Sequence, residues 1–177
     1  MRKHLVTLSA LPLIVLSACG GGDDNAADVT FAQHMIPHHE QAIEMSSLVA
    51  DRTDNPAVLD LAAQITSHQG PEISTMKGWL DDWDVDASEG HHDMGDMEMG
   101  DGMMSEADMT ELEGLAGDAF DRAWLAMMIE HHEGAVSMAE TVIDDGDDPE
   151  VDAFAVDVVD EQTREITLMN RLLKEQP

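Results

Sequence analysis

The sequence predicts an all-α fold made of two repeated antiparallel helical hairpins, and three observations support this prediction. One stretch occurs twice, at residues 35–45 and 128–138, with His-His-Glu at the same place in both copies. A constant offset of 93 residues relates the two copies over about 50 positions without a gap. Apolar side chains follow alternating steps of four and three residues in both copies, which is typical of the core face of a helix. No stretch shows the alternation expected of a strand.

The first hairpin is predicted over residues 28–80. Its first helix covers residues 28–49 and contains Pro37, which removes one backbone hydrogen bond and favours a kink. A short polar turn follows, and Pro56 suits the first position of a second helix that continues to about residue 79. Because the turn is short, the two helices are expected to be antiparallel.

The second hairpin is predicted within residues 105–177, together with a short helix that precedes it. Ser105 begins a capping pattern, so we expect the short helix to run from there to about residue 115. Two long helices are then predicted over residues 118–143 and 149–174, separated by a short acidic turn. The chain would thus contain two equivalent hairpins in one bundle domain, residues 28–177.

Residues 1–18 are predicted to be a lipoprotein signal peptide. A basic start precedes an apolar run over residues 5–16 that is too short to remain as a membrane span. The sequence Leu-Ser-Ala-Cys-Gly at 16–20 resembles the lipobox of bacterial lipoproteins. We therefore expect Cys19, the only cysteine, to be lipidated and to hold the protein at the extracytoplasmic face of the cell membrane, with residues 19–27 as a tether. An ordinary secretory signal is the alternative, and it also predicts export.

The charge of the chain excludes some classes of partner. There are 38 acidic and 8 basic residues, giving a net charge of −30 at pH 7. Such a chain is not expected to bind nucleic acid, whose affinity for proteins depends on basic groups. Tight binding of the domain itself to anionic lipid is excluded for the same reason, so membrane contact is expected only through Cys19. The acidic excess is compatible with a salt-rich habitat and with the attraction of cations.

The repeated histidines are the first candidates for a functional site. The spacing places His38 and His131 on the apolar stripe, with His39 and His132 about 100° further round the helix. A buried polar group left unpaired costs roughly 1–3 kcal/mol, so these rings need partners. The second helix of each hairpin carries a Gln and a Glu one turn apart on an otherwise apolar face, namely Gln69 with Glu72 and Gln162 with Glu165.

Two interpretations of these residues stay open. The histidines could form a hydrogen-bond network with the Glu and Gln side chains that only satisfies the core. Alternatively, imidazoles, thioethers and carboxylates could bind a metal ion directly. The candidate ligands are the paired histidines, the methionines around them, and one His and one Met a turn earlier: His38, His39, His131, His132, Met35, Met128, Met45, Met138, His34 and Met127.

Residues 81–104 are predicted to be a disordered linker rich in Asp, Gly, Met and His. Thioethers and imidazoles are soft ligands that suit cuprous copper, and a flexible segment can wrap an ion of low coordination number. A low-complexity acidic linker without a metal role is the alternative. The candidate ligands of this second, looser site are His91, His92, Met94, Met97, Met99, Met103 and Met104.

The paired Met-Ile-x-His-His-Glu-x-Ala motifs, Phe-Asp-Arg-Ala-Trp at 120–124 and the Gln-x-x-Glu-Ile on the following helices resemble the domain of unknown function 305 family. The resemblance covers roughly residues 28–173. It implies a ferritin-like four-helix bundle that is exported in bacteria, with copper binding and copper tolerance through Met and His in some members. The paired histidines, with Met35 and Met128, match the family positions. Glu130 departs from the proline that the family often has, and the His/Met-rich linker is not a general family feature.

We therefore expect an exported, lipid-anchored protein that binds copper for buffering, tolerance or transfer, and no residue is assigned to catalysis. Another transition metal stays open, because imidazole also suits zinc and nickel. One alternative is a ferritin-like redox enzyme, although the inward Glu72 and Glu165 lack the His three residues later that di-iron bundles use. A metal-free envelope interaction module is the other. A homo-oligomer, or a protein that exchanges metal with this one, is compatible with the copper hypothesis.

Overall fold

The computed structural model describes residues 26–87 and 102–175, and within these ranges the chain is all-α, as predicted. The predicted signal peptide, Cys19 and most of the tether lie outside the described residues. Each long helix extends at most three residues beyond its predicted bounds. The helices are α1 (Ala26–Arg52), α2 (Pro56–Asp82), α3 (Glu106–Glu113), α4 (Asp118–Asp145) and α5 (Pro149–Glu175).

Local sequence explains where two of the helices begin. The Asn55 side chain accepts a hydrogen bond from the backbone N–H of Ala57, and Pro56 occupies the first turn, where a missing N–H costs nothing. Ser105 and Asp108 form the predicted capping box at the start of α3. Both α1 and α2 continue through their internal prolines, Pro37 and Pro71, without ending there.

The four long helices form two antiparallel hairpins. Helix α1 packs on α2, α4 packs on α5, and α1 and α4 join the hairpins. Helices α2 and α5 meet through side chains, for example where the ring centroids of Trp79 and Phe154 lie 5.0 Å apart. No helix in the described ranges is both long and apolar enough to cross a membrane.

The buried interior consists of two apolar clusters separated by a polar layer. One cluster contains Trp124 and Met128, and the other contains Phe31 and Met35. Between the two clusters, α1 and α4 each carry a pair of histidines, whereas α2 and α5 each carry a glutamine and a glutamate. Most of these residues are buried. The middle of the bundle is therefore polar in both hairpins. The layer comprises His38, His39, Gln69, Glu72, His131, His132, Gln162 and Glu165.

The two hairpins also hold each other at their ends through equivalent aspartates. Asp28 is buried, and its Oδ2 accepts hydrogen bonds from the backbone N–H groups of Asp147 and Asp148, both at 3.2 Å. Asp121, the residue 93 positions later, is also buried and accepts a 2.7 Å hydrogen bond from Asn55 Nδ2. Each aspartate thus accepts hydrogen bonds from the turn of the opposite hairpin.

Both ends of the predicted linker of residues 81–104 belong to the described residues and contact the bundle. Helix α2 continues through Asp82, and the carbonyl of Asp86 accepts a hydrogen bond from Gln33 Nε2. At the other end, the Gln41 amide bonds both the N–H and the carbonyl of Met104, each at 2.8 Å. Side-chain amides of α1 thereby satisfy backbone groups that would otherwise need water. Residues 88–101 lie outside the described residues.

Candidate metal site

Four buried imidazoles lie one after another through the polar layer, and we call them the imidazole row. The rings of His38 and His131 meet at the centre, with centroids 3.7 Å apart and planes tilted by 38°. His39 lies beside His38 at 6.4 Å, and His132 lies beside His131 at 6.3 Å. All four side chains are almost completely buried. The repeat therefore brings its two histidine pairs together.

The outer rings of the row are hydrogen-bonded to carboxylates of their own hairpins. His39 Nε2 lies 2.8 Å from Glu72 Oε2, and His132 Nε2 lies 2.7 Å from Glu165 Oε2. Both glutamates thus act as expected from the sequence for a hydrogen-bond network. The neighbouring glutamines do not join it, because neither amide atom of Gln69 has a hydrogen-bond partner in the described structure, and neither does Gln162 Oε1.

The hydrogen bonds to the glutamates fix the tautomer of the outer rings. An ionised carboxylate only accepts hydrogen bonds, so Nε2 of His39 and of His132 carries the proton and donates. In a neutral ring the lone pair then lies on Nδ1. The Nδ1 atoms of both rings are buried and have no hydrogen-bond partner in the described residues. An imidazole that donates to a carboxylate and offers its other nitrogen to an ion is a common arrangement in metal sites.

The environment of His131 favours a neutral ring. Burial lowers the pKa of His131 well below its ordinary value of 6.5, and the adjacent His38, His132 and His39 lower it further. Charging a buried ring that lies next to other imidazoles is therefore unfavourable. His131 therefore keeps a lone pair at neutral pH, which a metal ligand requires.

The stability of the metal-free protein is expected to fall as the pH drops below about 6.5. In that range the unfolded chain protonates His131 and the folded chain does not, so lower pH favours unfolding. One such group contributes at most about 1.4 kcal/mol per pH unit. Chemical denaturation with a chelator present, at about pH 7.5 and about pH 5.5, would measure this effect. Between the two pH values, the free energy of unfolding should fall less in His131→Gln than in the wild type. An equal loss in both proteins would contradict this assignment.

Buried methionines lie within one turn of the polar-layer residues on all four long helices. Met35 and Met128 are fully buried and lie one turn before His38 and His131 on the same stripe, and Met45 is fully buried one turn beyond Ala42. Met76 and Met169 were not among the candidates predicted from the sequence. They are fully buried one turn after Glu72 and Glu165, and their 93-residue relation could have identified them.

The remaining candidates lie at a surface cavity, in or against the cluster that contains Trp124, or outside the described residues. His34 and Met138 line a surface cavity of about 440 Å³ between α1 and α4. Met127 is half-buried against the cluster that contains Trp124. Met104 is buried in the same cluster, and Met103 beside it is half-buried. The other linker candidates, His91, His92, Met94, Met97 and Met99, lie outside the described residues.

A second group of side chains that could hold a metal ion was not predicted from the sequence. His68 on α2 lies with Glu161 and Glu165 on α5, and one ligand atom from each falls within 4.8 Å of the others. The repeat relates His68 to Glu161, so the two positions carry different residue types. Only the packing of α2 beside α5 shows that they meet.

Comparisons with known proteins identify relatives of similar fold. A DUF305 protein from Streptomyces coelicolor is 37% identical, with a TM-score of 0.78, and the match covers 88% of this chain and 96% of that one. A DUF305 fragment from Deinococcus radiodurans is 31% identical, with a TM-score of 0.75 and coverage of 86% and 98%. CopM in its Cu(I)-bound form is 28% identical, with a TM-score of 0.68 and coverage of 84% and 96%.

Two further matches are to a viral protein and to a family model. Protein L153 of Acanthamoeba polyphaga mimivirus is 40% identical over 55 residues, which is 31% of this chain and 36% of that protein's length. The family model described as "Domain of unknown function (DUF305)" matches residues 28–173, which includes both hairpins and the segment between them. The chain therefore belongs to the DUF305 family.

Proposed function

We propose that this protein is an exported copper-binding protein that buffers or transfers copper and confers copper tolerance, and that copper binds at the imidazole row. The observation that carries the proposal is the pair of Nδ1 atoms of His39 and His132. Each is buried without a hydrogen-bond partner among the residues that the structure describes, on a ring whose other nitrogen donates to Glu72 or Glu165. Leaving such an atom unpaired is unfavourable, and an ion bound there would remove the penalty.

The chemistry of the surroundings favours copper over harder ions. Neutral imidazoles and thioethers are soft ligands that suit Cu(I), and Met35 and Met128 are fully buried one turn from the central histidines. CopM has been solved in Cu(I)-bound, Cu(II)-bound and Ag-bound forms. Ag(I) is a soft ion like Cu(I), so these forms of a relative support the same preference here.

The segment between the hairpins would provide a second, looser copper site. Its ligands would be His91, His92, Met94, Met97 and Met99. Met103, which lies next to the hydrogen-bonded Met104, would be a further ligand. Gly102 supports this role by its position. Its φ is +72°, and an added Cβ would lie 2.3 Å from the carbonyl oxygen of Glu130, so the chain runs directly against α4 beside His131. A metal collected by the segment would thus arrive next to the row.

A Cu(I) titration under reducing conditions, against a competing chromophoric chelator, tests the proposal. The full chain should bind Cu(I) at the row and on the segment. A variant in which the five segment residues His91, His92, Met94, Met97 and Met99 are replaced by Ser should lose only the looser binding. Loss of all Cu(I) binding in that variant would show that the bundle holds no copper.

Export and lipid anchoring form part of the proposal. The lipobox-like sequence around Cys19 supports it, and the Streptomyces coelicolor relative is named as a secreted protein. Cells fed a clickable palmitate analogue should label the wild-type protein, and Cys19→Ala should abolish the label and release the protein from the membrane fraction. Equal membrane retention of both proteins, without label, would contradict lipidation at this residue.

A further inference from the structure

The surface between α2 and α5 carries a histidine and two glutamates that converge across the helices. His68 Nδ1 is in contact with Glu161 Oε1 and lies 3.6 Å from Glu165 Oε1. The His68 side chain is 44% exposed, while Glu161 is 26% and Glu165 11% exposed. The group therefore has access to solvent on one side and is supported by the protein on the other. We call it the His68 cluster.

The repeat accounts for the composition of the His68 cluster. The 93-residue offset relates His68 to Glu161 and Glu72 to Glu165, and each pair of positions on one helix is four residues apart. Positions four apart lie on the same helix face. The pairing of α2 with α5 thus brings Glu161 and Glu165 to the imidazole of His68, while Glu72 lies one turn beyond His68 on α2. Burial raises the pKa of Glu161, and the nearby Glu72 and Glu165 raise it further, whereas His68 lowers it.

The cluster is built into the polar layer. Glu165 Oε2 is held by the Nε2–H of the fully buried His132, which leaves Oε1 directed to His68. Ligating carboxylates in metal sites are commonly held by such a second hydrogen bond. The adjacent Gln69 and Gln162 are each 2% exposed, and both have an amide oxygen without a hydrogen-bond partner in the described structure. The polar layer beside the cluster thus holds buried amide oxygens without partners among the described residues, together with the unpaired Nε2 of Gln69.

We propose that His68, Glu161 and Glu165 bind a divalent cation of the first transition row. One imidazole and two carboxylates form a borderline-to-hard ligand set that suits Zn²⁺ or Cu²⁺, and it differs from the soft surroundings of the imidazole row. The exposed side leaves coordination positions for water. A cation there would also offset the repulsion among the three carboxylates. This inference does not require copper at the row.

The proposed site also touches the row through Glu165. Its Oε1 would bind the cation while its Oε2 keeps the hydrogen bond to His132. The carboxylate is therefore shared between the solvent-facing site and the buried row. The protein would hold two classes of metal site, one for a divalent ion near the surface and one for a soft ion inside.

Calorimetric titration of the full chain with Zn²⁺ as the probe tests this inference. Salt at roughly 0.15 M should suppress diffuse binding to the acidic surface. We expect His68→Ala and Glu161→Gln each to weaken one Zn²⁺ site at least about tenfold. The side chains are partly exposed, so both variants should fold, and circular dichroism would verify this. Glu40→Gln, which removes an exposed carboxylate paired with Lys77, is the control and should change nothing.

The outcomes separate this site from the copper proposal. Loss of the Zn²⁺ site in both variants with unchanged Cu(I) affinity in His68→Ala would support a distinct divalent site. Unchanged Zn²⁺ binding in both variants would overturn it, and so would an equal loss in Glu40→Gln. His68 and Glu161 would then form only a surface ion pair. Absence of Cu(I) binding would count against the row and leave the Zn²⁺ result interpretable.

Discussion

Replacing both His39 and His132 with glutamine is expected to weaken Cu(I) binding in the bundle by about 100-fold or more. The Gln amide N–H can still donate to Glu72 and Glu165, so the carboxylates keep their partners in the buried layer. What the double variant loses is the pair of Nδ1 lone pairs, and an amide is a poor ligand for a soft ion. Competition titration against a chromophoric Cu(I) chelator would measure the effect.

The control for this variant is His34→Gln. His34 is on the same helix as His39 but lines the surface cavity between α1 and α4. Its replacement should leave the Cu(I) affinity of the bundle unchanged. Equal affinities for the wild type and the folded double variant, with the segment ligands removed in both, would show that the outer rings of the row hold no copper.

Replacing Glu72 with leucine is expected to weaken Cu(I) binding by about 10- to 100-fold, although Glu72 would not touch the ion. Its carboxylate fixes the ring of His39 and places the proton on Nε2. Without it, the N–H of His39 is buried and unpaired, which should also lower the free energy of unfolding by about 1–3 kcal/mol. Titration and chemical denaturation would measure the two effects separately.

The conservative variant Glu72→Gln distinguishes positioning from general damage. Its amide oxygen can accept the hydrogen bond from His39 Nε2, so most of the Cu(I) affinity should return. Glu44→Leu, at an exposed position of α1, should alter neither Cu(I) affinity nor stability by a measurable amount. If Glu72→Leu binds Cu(I) as tightly as the wild type, then the carboxylate does not orient a ligand.

The sequence was sufficient to predict the all-α fold and the pairing of helices. The repeated spacing of apolar residues identified four long helices, and short turns after residues 52 and 145 gave antiparallel hairpins. The capping pattern at Ser105 located α3. These features are local, because they depend on residues within a few turns of each other. The polar layer could be anticipated as well, since His and Glu interrupt the apolar stripes at equivalent places.

The contacts across helices could not be predicted in the same way. The apolar stripe placed His38 and His131 inside, but only the packing of α1 on α4 shows that their rings touch. His68 was not predicted as a candidate, because the repeat relates it to Glu161 and no motif recurs at these two positions. Met104 came from a segment too polar to suggest burial, and its position depends on Gln41, which is distant in sequence. Such contacts are set by tertiary packing, which spacing along one helix does not encode.

The proposed copper site consists of the same polar-layer residues whose burial is unfavourable for stability. Four imidazoles lie between two apolar clusters, where burial is costly for polar groups that lack partners. A protein selected only for stability would gain by filling these positions with apolar side chains. The repetition of the layer in both hairpins therefore supports a functional reason for keeping it, and a bound soft ion supplies one.

Anomalous diffraction from crystals of the Cu(I)-loaded protein, collected at the copper edge, tests the central claim most directly. The account predicts a copper peak within the bundle, at bonding distance from Nδ1 of His39 or His132. The hydrogen bonds of those rings to Glu72 and Glu165 should persist in the loaded protein. Copper peaks confined to the surface or to the segment between the hairpins, with the four rings placed as described and no ion among them, would contradict it.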